Sequence, residues 1–190
     1  MTSPSTTLES LQRRMRAMHS LWYDAVDTMD LSHVNHVERA EVLPIAFSLF
    51  HQAQLEDAAL MMLSGLPPVY DDDRGDAMGL AIRDHGKERT PAEMTEQRIG
   101  DYAAFRDYQR EVFARTEKWL GDLDPDELAR VVVSRPLPEQ LASTFSARVA
   151  GEAGITVLDG TECWIYQHGL RHMGELEHAR SLVGLYGMTS

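Results

Sequence analysis

Two histidines with the spacing of a metal-binding pair stand near the end of the chain. His168 and His172 are four residues apart, within a segment 168–175 that fits a long helix. Residues four apart lie on one helical face, with Cβ atoms about 5–6 Å apart. Two neutral imidazoles on one face can bind a single metal ion at about 2.0–2.1 Å. The same spacing occurs on solvated helices, so a third ligand and a buried face would distinguish a metal site.

A third histidine, His51, stands within an apolar stripe on another predicted helix. That stripe, with spacings of three and four, consists of Phe47, His51, Leu55, Ala58 and Met62. A similar stripe on the last predicted helix consists of Ile165, His168, His172, Glu175, Ala179, Leu182 and Tyr186. Buried imidazoles need hydrogen-bond partners or a metal. The two stripes predict a shared metal site of His51, His168 and His172, with hydrogen-bonded core histidines as the alternative.

Four long helices are predicted to carry these residues. Their expected bounds are about 6–29, 42–63, 91–120 and 159–186. Capping signals are provided by Thr6 with Glu9, by Thr90 with Glu93, and by Asp159 with Glu162. A short helix is predicted over 125–133, whereas helix and short strand compete over 134–158. The pattern indicates an all-α fold, an antiparallel four-helix bundle with long crossover loops, in a single domain over 1–190.

Composition excludes several classes of function. The chain has 190 residues, a formal net charge of -12 and no dense basic run. A protein this acidic is a poor candidate for binding nucleic acid. No apolar run reaches the about 18 residues of a membrane span, and 1–7 is too polar for a signal peptide. We therefore expect a cytoplasmic protein with no membrane partner. The one cysteine, Cys163, excludes a thiolate-rich zinc site, so any metal ligands must come from His, Asp and Glu.

The other candidate residues have simpler interpretations. His178 is rotated away from the predicted ligand face, and His33 and His36 are expected in a solvated connection. The acidic run 71–73 lacks the spacing of a calcium loop and is predicted to be solvated. Cys163, five residues before the histidine pair, is predicted to be buried and to face away from the metal. Three tryptophans are expected to pack the bundle: Trp22, Trp119 and Trp164.

The pattern His-x-x-x-His-x-Gly-Glu over 168–175, with one histidine on the second helix, resembles the DinB/YfiT-like superfamily of four-helix-bundle metalloenzymes. The resemblance implies that the three histidines hold a divalent metal, commonly zinc or nickel, with Gly174 and Glu175 completing the motif. It also implies an up-down-down-up order of the helices. The long segment 69–95 would permit the crossover that this order requires.

Metal-dependent catalysis is the activity that this resemblance implies. Three histidine ligands leave positions open for water or substrate, and the ion can lower the pKa of a water or a thiol. Characterised members of the family use low-molecular-weight thiols such as mycothiol as cosubstrates for S-transfer or isomerisation. Lysine occurs only at Lys87 and Lys118, which hints at a GC-rich genome and makes mycothiol the thiol to test.

Glu175 is the candidate catalytic residue. It lies one turn past His172, where a carboxylate would act as a general base or orient the imidazole. The alternative is a surface pairing of this carboxylate with Arg171 or Arg180.

Several functions remain open at this point. The first is a metal-dependent enzyme acting on a small molecule, either a thiol transferase or a hydrolase that uses an activated water. The second is a non-enzymatic metal-binding or stress-response module. Direct coordination of the metal by Glu175 would favour this function. The third is a structural bundle without metal. We also expect a homodimer, and we expect the segment 69–95 to border the site.

Overall fold

Four long helices dominate the protein, for which a computed structural model describes residues 3–40 and 42–187. The elements are α1 (Pro4–Asp27), α2 (Leu31–Val34), α3 (Ile45–Ser64), α4 (Asp72–Ala77), α5 (Pro91–Met94), α6 (Tyr102–Asp122), a 3₁₀-helix (Pro125–Ala129), β1 (Val131–Ser134), α7 (Glu139–Ala142), α8 (Phe145–Val149), β2 (Gly154–Thr156) and a last helix over 157–182. The predicted domain covers 1–190. A few of its positions lie outside the described residues: 1, 2, 41 and 188–190.

Helix α1 follows its predicted pattern. Its buried apolar residues recur at steps of three and four: Leu8, Leu11, Met15, Met18, Trp22 and Val26. The predicted cap, Thr6, was wrong, because the helix already begins at Pro4. Ser3 is the N-cap, and its hydroxyl accepts a hydrogen bond from the backbone N–H of Thr6, while Pro4 occupies the first helical position.

The four long helices share one cluster of buried apolar side chains. Helix α1 packs against α6 and the last helix, and α3 packs against the same two helices. Helix α3 and the last helix run antiparallel, since His51 lies beside His172 while Leu63 lies beside Gly160. The predicted mostly helical class is confirmed. Every helix in the described part of the chain is too short or too polar to cross a membrane.

A two-stranded antiparallel sheet corrects the all-α prediction. Strand β1 pairs with β2, with Val133 opposite Ile155. Three consecutive valines in β1 favour a strand because β-branched side chains suit a pleated surface. The helix predicted over 125–133 is consequently a 3₁₀-helix that gives way to this strand. The segment 134–158 contains the rest of the sheet together with α7 and α8.

The predicted third helix over 91–120 is divided into two. Helix α5 has the predicted capping box but lasts only one turn. The chain then passes close to Gly79 at Gly100, where a Cβ on Gly79 would lie 3.0 Å from the Gly100 Cα. Helix α6 begins only after this crossing, with Asp101 as its N-cap. The backbone contact between two glycines thus separates elements that the apolar pattern had joined.

The last helix begins and ends earlier than predicted. It consists of three consecutive segments: Val157–Gly160, the π-helical Thr161–Tyr166, and Gln167–Leu182. Thr156 is its N-cap, and Asp159, the predicted cap, is the third residue of the capping box. Because the helix ends at Leu182, the predicted inward stripe does not continue to Tyr186, which is 92% exposed.

A buried charged cluster connects α1, α3 and α6. His19 is fully buried, with Nε2 3.0 Å from Glu56 Oε1 and Nδ1 2.8 Å from Glu117 Oε1. The ring of Phe113 stacks on the imidazole at 4.0 Å between centroids. Burial alone would lower the pKa of His19, but the two carboxylates outweigh it and raise the pKa to about 9. The imidazolium therefore donates hydrogen bonds from both nitrogens at neutral pH.

We predict that His19→Gln destabilises the protein more at about pH 6 than at about pH 10. A folded-state pKa of about 9 stabilises the fold fully below the unfolded value of about 6.5, and this stability is lost as the pH rises through 9. Removing the cation also leaves the buried Glu56 without its counter-charge, a loss of about 3–5 kcal/mol in comparable pairs. Urea unfolding at both pH values measures the difference.

The matched control is Arg14→Gln, which removes a partly exposed ion pair with Glu162. Its effect on the free energy of unfolding should stay below about 1 kcal/mol at either pH. An equal loss for His19→Gln at both pH values would contradict the charged state assigned to His19.

Candidate metal centre

Three imidazoles meet where α3 packs against the last helix. One ring nitrogen from each of His51, His168 and His172 lies within 4.8 Å of the other two. The ring centroids are 4.4 Å apart for His168 and His172, and 4.8 Å apart for His51 and His172. The residues predicted as ligands are therefore close enough to bind one metal ion.

A loop orients His51. Its Nδ1 donates a hydrogen bond to the backbone carbonyl of His85, which leaves Nε2 free to bind a metal. The ring of Phe47 lies against the imidazole, with centroids 5.4 Å apart. Gly86 lets the loop pass close to Phe47, because a Cβ there would lie 2.5 Å from the Phe47 ring. The segment 69–95 thus borders the three imidazoles, through a backbone carbonyl that no sequence motif could indicate.

Glu175 orients His172. The carboxylate accepts a hydrogen bond of 2.6 Å from His172 Nδ1, so Nε2 of that ring is free for a metal. His168 Nε2 lies 3.1 Å from His172 Nε2. Two nitrogens bound to one tetrahedral ion at about 2.0–2.1 Å would be about 3.3–3.4 Å apart, close to this spacing. Glu175 therefore contacts a ligand residue and lies outside the group of three nitrogens.

Burial keeps two of the imidazoles neutral. Burial, together with the nearby His172, lowers the pKa of His51 to about 4. Burial, the neighbouring imidazoles and Arg171 lower the pKa of His168 to about 2. A metal binds the neutral form of histidine, so these two rings need lose no proton at neutral pH.

The donor set fits a metal ion. Neutral imidazoles carry one proton each, and at His51 and His172 that proton is held on Nδ1 by an acceptor. Each of these two rings therefore keeps an Nε2 lone pair that is free to bind a metal. Three imidazole nitrogens suit divalent transition metals and leave further coordination positions open. His51, His168 and His172 are thus the residues that would hold the ion.

An open cavity of about 480 Å³ lies beside the three imidazoles. On α3 it is lined by residues of the predicted apolar stripe: His51, Leu55, Ala58 and Met62. The stripe was expected to face the core, whereas most of it faces this cavity. The fully buried side of α3 instead includes polar residues such as Gln52 and Glu56. These polar side chains belong to the buried cluster around His19, in which Gln52 contacts Glu56 and Glu56 contacts His19.

The π-helical segment decides which residues of the last helix line the cavity. Cys163 and Trp164 do so together with His168. The thiol of Cys163 is buried as predicted, and burial raises its pKa to about 11, but it does not face away from the site. A π-helix bonds residue i to i+5, so residues five apart lie closer to one face than they do in an α-helix. As predicted, Trp22 lies in the core, and Trp119 and Trp164 pack against it.

The remaining candidate residues do not join the three nitrogens. His178 and His36 are exposed, and His33 belongs to the capping box of α2. The acidic run 71–73 is exposed as predicted, and Asp71 caps α4. These positions therefore have local structural roles or contact solvent.

Comparisons with known proteins bear on the fold alone. No family model matches the chain, and no curated protein matches it. A crystal structure of a conserved protein from Enterococcus faecalis is similar, with a TM-score of 0.67 at 16% sequence identity. The match covers 96% of this chain and 98% of that one. The described helical arrangement is thus shared over nearly the whole length of both chains.

We predict that the metal-free protein loses stability as the pH falls below about 6.5. The folded-state pKa values of His51 and His168, about 4 and about 2, lie below the unfolded value, so the unfolded chain binds more protons in acid. His168→Gln removes one such group and should make stability fall less steeply between about pH 6.5 and pH 4. Urea unfolding of chelator-treated protein across this range measures the slope.

The control for this experiment is His178→Gln, which changes an exposed histidine of the same helix. It should leave the slope of stability against pH as in the unmodified protein. A slope unaltered by His168→Gln as well would contradict the burial of a neutral imidazole at that position.

Proposed function

We propose that the protein is a divalent-metal-dependent enzyme of the DinB-like type that transfers a low-molecular-weight thiol to a small-molecule substrate. The observation that carries the proposal is the group of three imidazole nitrogens beside an open cavity. A divalent ion such as zinc or nickel would supply a Lewis acid that lowers the pKa of a thiol. The imidazoles hold and orient that ion, and the cavity admits the substrate.

The lining of the cavity favours thiol transfer over hydrolysis. Among the described residues that line it there is no Asp or Glu. Metal-dependent hydrolysis commonly uses a carboxylate near the metal as general base for the attacking water. A thiol needs no such base once its pKa has been lowered, because the thiolate is itself the nucleophile.

The contact made by Glu175 supports an open metal site. A closed shell with Glu175 as fourth ligand would favour a structural or sensory metal. The carboxylate instead accepts a hydrogen bond from His172 Nδ1. In this proposal Glu175 is a positioning residue that fixes the tautomer and ring orientation of His172.

We propose in addition that the long helices follow the up-down-down-up order of the DinB-like family. The antiparallel course of α3 and the last helix supports this order, as does the packing of α3 beside α6 across a long connection. A cytoplasmic location and a homodimer stay predictions.

We predict that the protein, purified without chelators, retains about one divalent ion per chain, as expected for a three-histidine site. His172→Ala removes one ligand and should lose the ion, as measured by inductively coupled plasma mass spectrometry. His178→Ala changes an exposed histidine on the same helix and should retain it. A wild-type protein that holds no metal after loading with zinc or nickel would overturn the proposal.

Glu175→Ala provides a graded test of the same site. Loss of a carboxylate that orients a ligand typically lowers metal affinity by about 10–100-fold. Glu175→Gln keeps an acceptor oxygen and should have a smaller effect, as measured by competition with a chromophoric chelator.

The transfer reaction is tested with metal-loaded protein, mycothiol and the electrophile 1-chloro-2,4-dinitrobenzene. We expect a carbon–sulfur bond to form as chloride leaves, faster with the wild type than with His172→Ala, as measured by mass spectrometry of the conjugate. Turnover of esters or amides without any thiol reaction would favour the hydrolase. Metal retention with neither reaction across a panel of thiols and esters would contradict an enzymatic role.

A further inference from the structure

The cavity beside the metal centre has two chemically different ends. Because α3 and the last helix run antiparallel along it, His51 and His172 mark one end, while Met62 and Cys163 mark the other. Helix α3 rises about 16 Å between positions 51 and 62. A cavity of about 480 Å³ with this length suits an elongated small molecule.

Two cationic side chains line the metal end. Lys87 and Arg171 both face the cavity, and neither has an ion-pair partner among the described residues. Lys87 stands two residues after His85, whose carbonyl contacts the metal centre. Arg171 directly precedes His172 on the last helix. In a chain with a formal net charge of -12, this end of the cavity is a local positive region that would attract an anion.

The other end of the cavity is apolar and open. Leu55 and Met62 line it from α3, Trp164 from the last helix, and Phe145 from α8. Met62 and Phe145 are 49% and 51% exposed, so large apolar side chains surround the opening. Apolar surface of this kind at the mouth of a cavity indicates a binding site for an apolar group.

We propose that the cavity binds an amphipathic organic carboxylate. Its carboxylate lies at the end formed by Lys87 and Arg171, and its apolar body extends along α3 toward Met62. The assignment rests on the proposed function, because this carboxylate would be the small-molecule substrate of the transfer reaction. The carbon next to the carboxylate would then lie beside the three imidazoles and would carry a leaving group such as a halide. The thiol would form a carbon–sulfur bond there as the halide leaves, and its proton would pass to solvent.

The test uses decanoate and decan-1-ol, which share an apolar chain and differ in charge. Isothermal titration calorimetry on the metal-loaded protein should give a Kd for decanoate at least about 10-fold below that for decanol, since charge-assisted hydrogen bonds contribute on this scale. From hexanoate to decanoate, each added CH₂ that becomes buried should lower Kd by about 3–4-fold.

Two variants locate the carboxylate. Lys87→Gln and Arg171→Gln should each weaken decanoate binding by about 5–10-fold and leave decanol binding unchanged. Lys118→Gln is the matched control, because Lys118 pairs with Asp122 on the surface and does not line the cavity. Ala58→Trp would fill the middle of the cavity and should weaken both ligands. Circular dichroism and metal content, measured for every variant, identify those that keep the fold and the ion.

The outcomes separate this assignment from the metal proposal. Equal affinities for decanoate and decanol, or a preference untouched by both Gln variants, would overturn the assignment even if the protein retains its metal. A preference that survives in chelator-treated protein and disappears in the two variants would support it, whether or not metal is retained by the purified wild type. The metal proposal is judged separately, by the metal content of the wild type and of His172→Ala.

Discussion

The antiparallel contact between α3 and the last helix is the constraint on which the candidate site depends. It places His51 opposite His168 and His172, so that nitrogens from two distant parts of the chain converge. The Nδ1 atoms of His51 and His172 are fixed by a carbonyl and by a carboxylate, which leaves the Nε2 atom of each ring free to bind a metal. Burying polar atoms without partners is costly. An ion bound at this point would satisfy nitrogens that apolar packing between the two helices cannot satisfy.

The protein contains two buried histidine environments with opposite electrostatics. His19 is surrounded by carboxylates, so its pKa rises to about 9 and its positive charge is balanced by neighbouring side chains. His168 has only imidazoles and Arg171 nearby, and its pKa falls to about 2. The difference comes from the neighbours, since both side chains are buried. His19 thus contacts two carboxylates that balance its charge, whereas His168 lies beside two other imidazoles, a donor set that suits a metal cation.

The three histidines of the candidate site could be predicted because helical periodicity is local. The spacing of His168 and His172, and the place of His51 in an apolar stripe, depend only on nearby sequence. His19 carried a comparable signal, four residues after Met15 within the buried stripe of α1, and was missed. The division of the third helix at Gly100, the pairing of β1 with β2, and the carbonyl of His85 depend on contacts between distant segments. Such contacts leave no periodic pattern in the sequence.

The π-helical segment Thr161–Tyr166 connects the metal centre to the apolar wall. In a regular α-helix, positions 163 and 168 would differ by about 140° around the axis and would face different neighbours. The wider turn brings Cys163 onto the side that also carries Trp164 and His168. Gly160, just before this segment, accepts the side chain of Leu63 in the space a Cβ would occupy, which holds the two helices close at the far end. The cavity lies between this close contact at Gly160 and the three imidazoles, next to the widened turn. The same helix therefore carries two of the three imidazoles and also forms a wall of the cavity beside them.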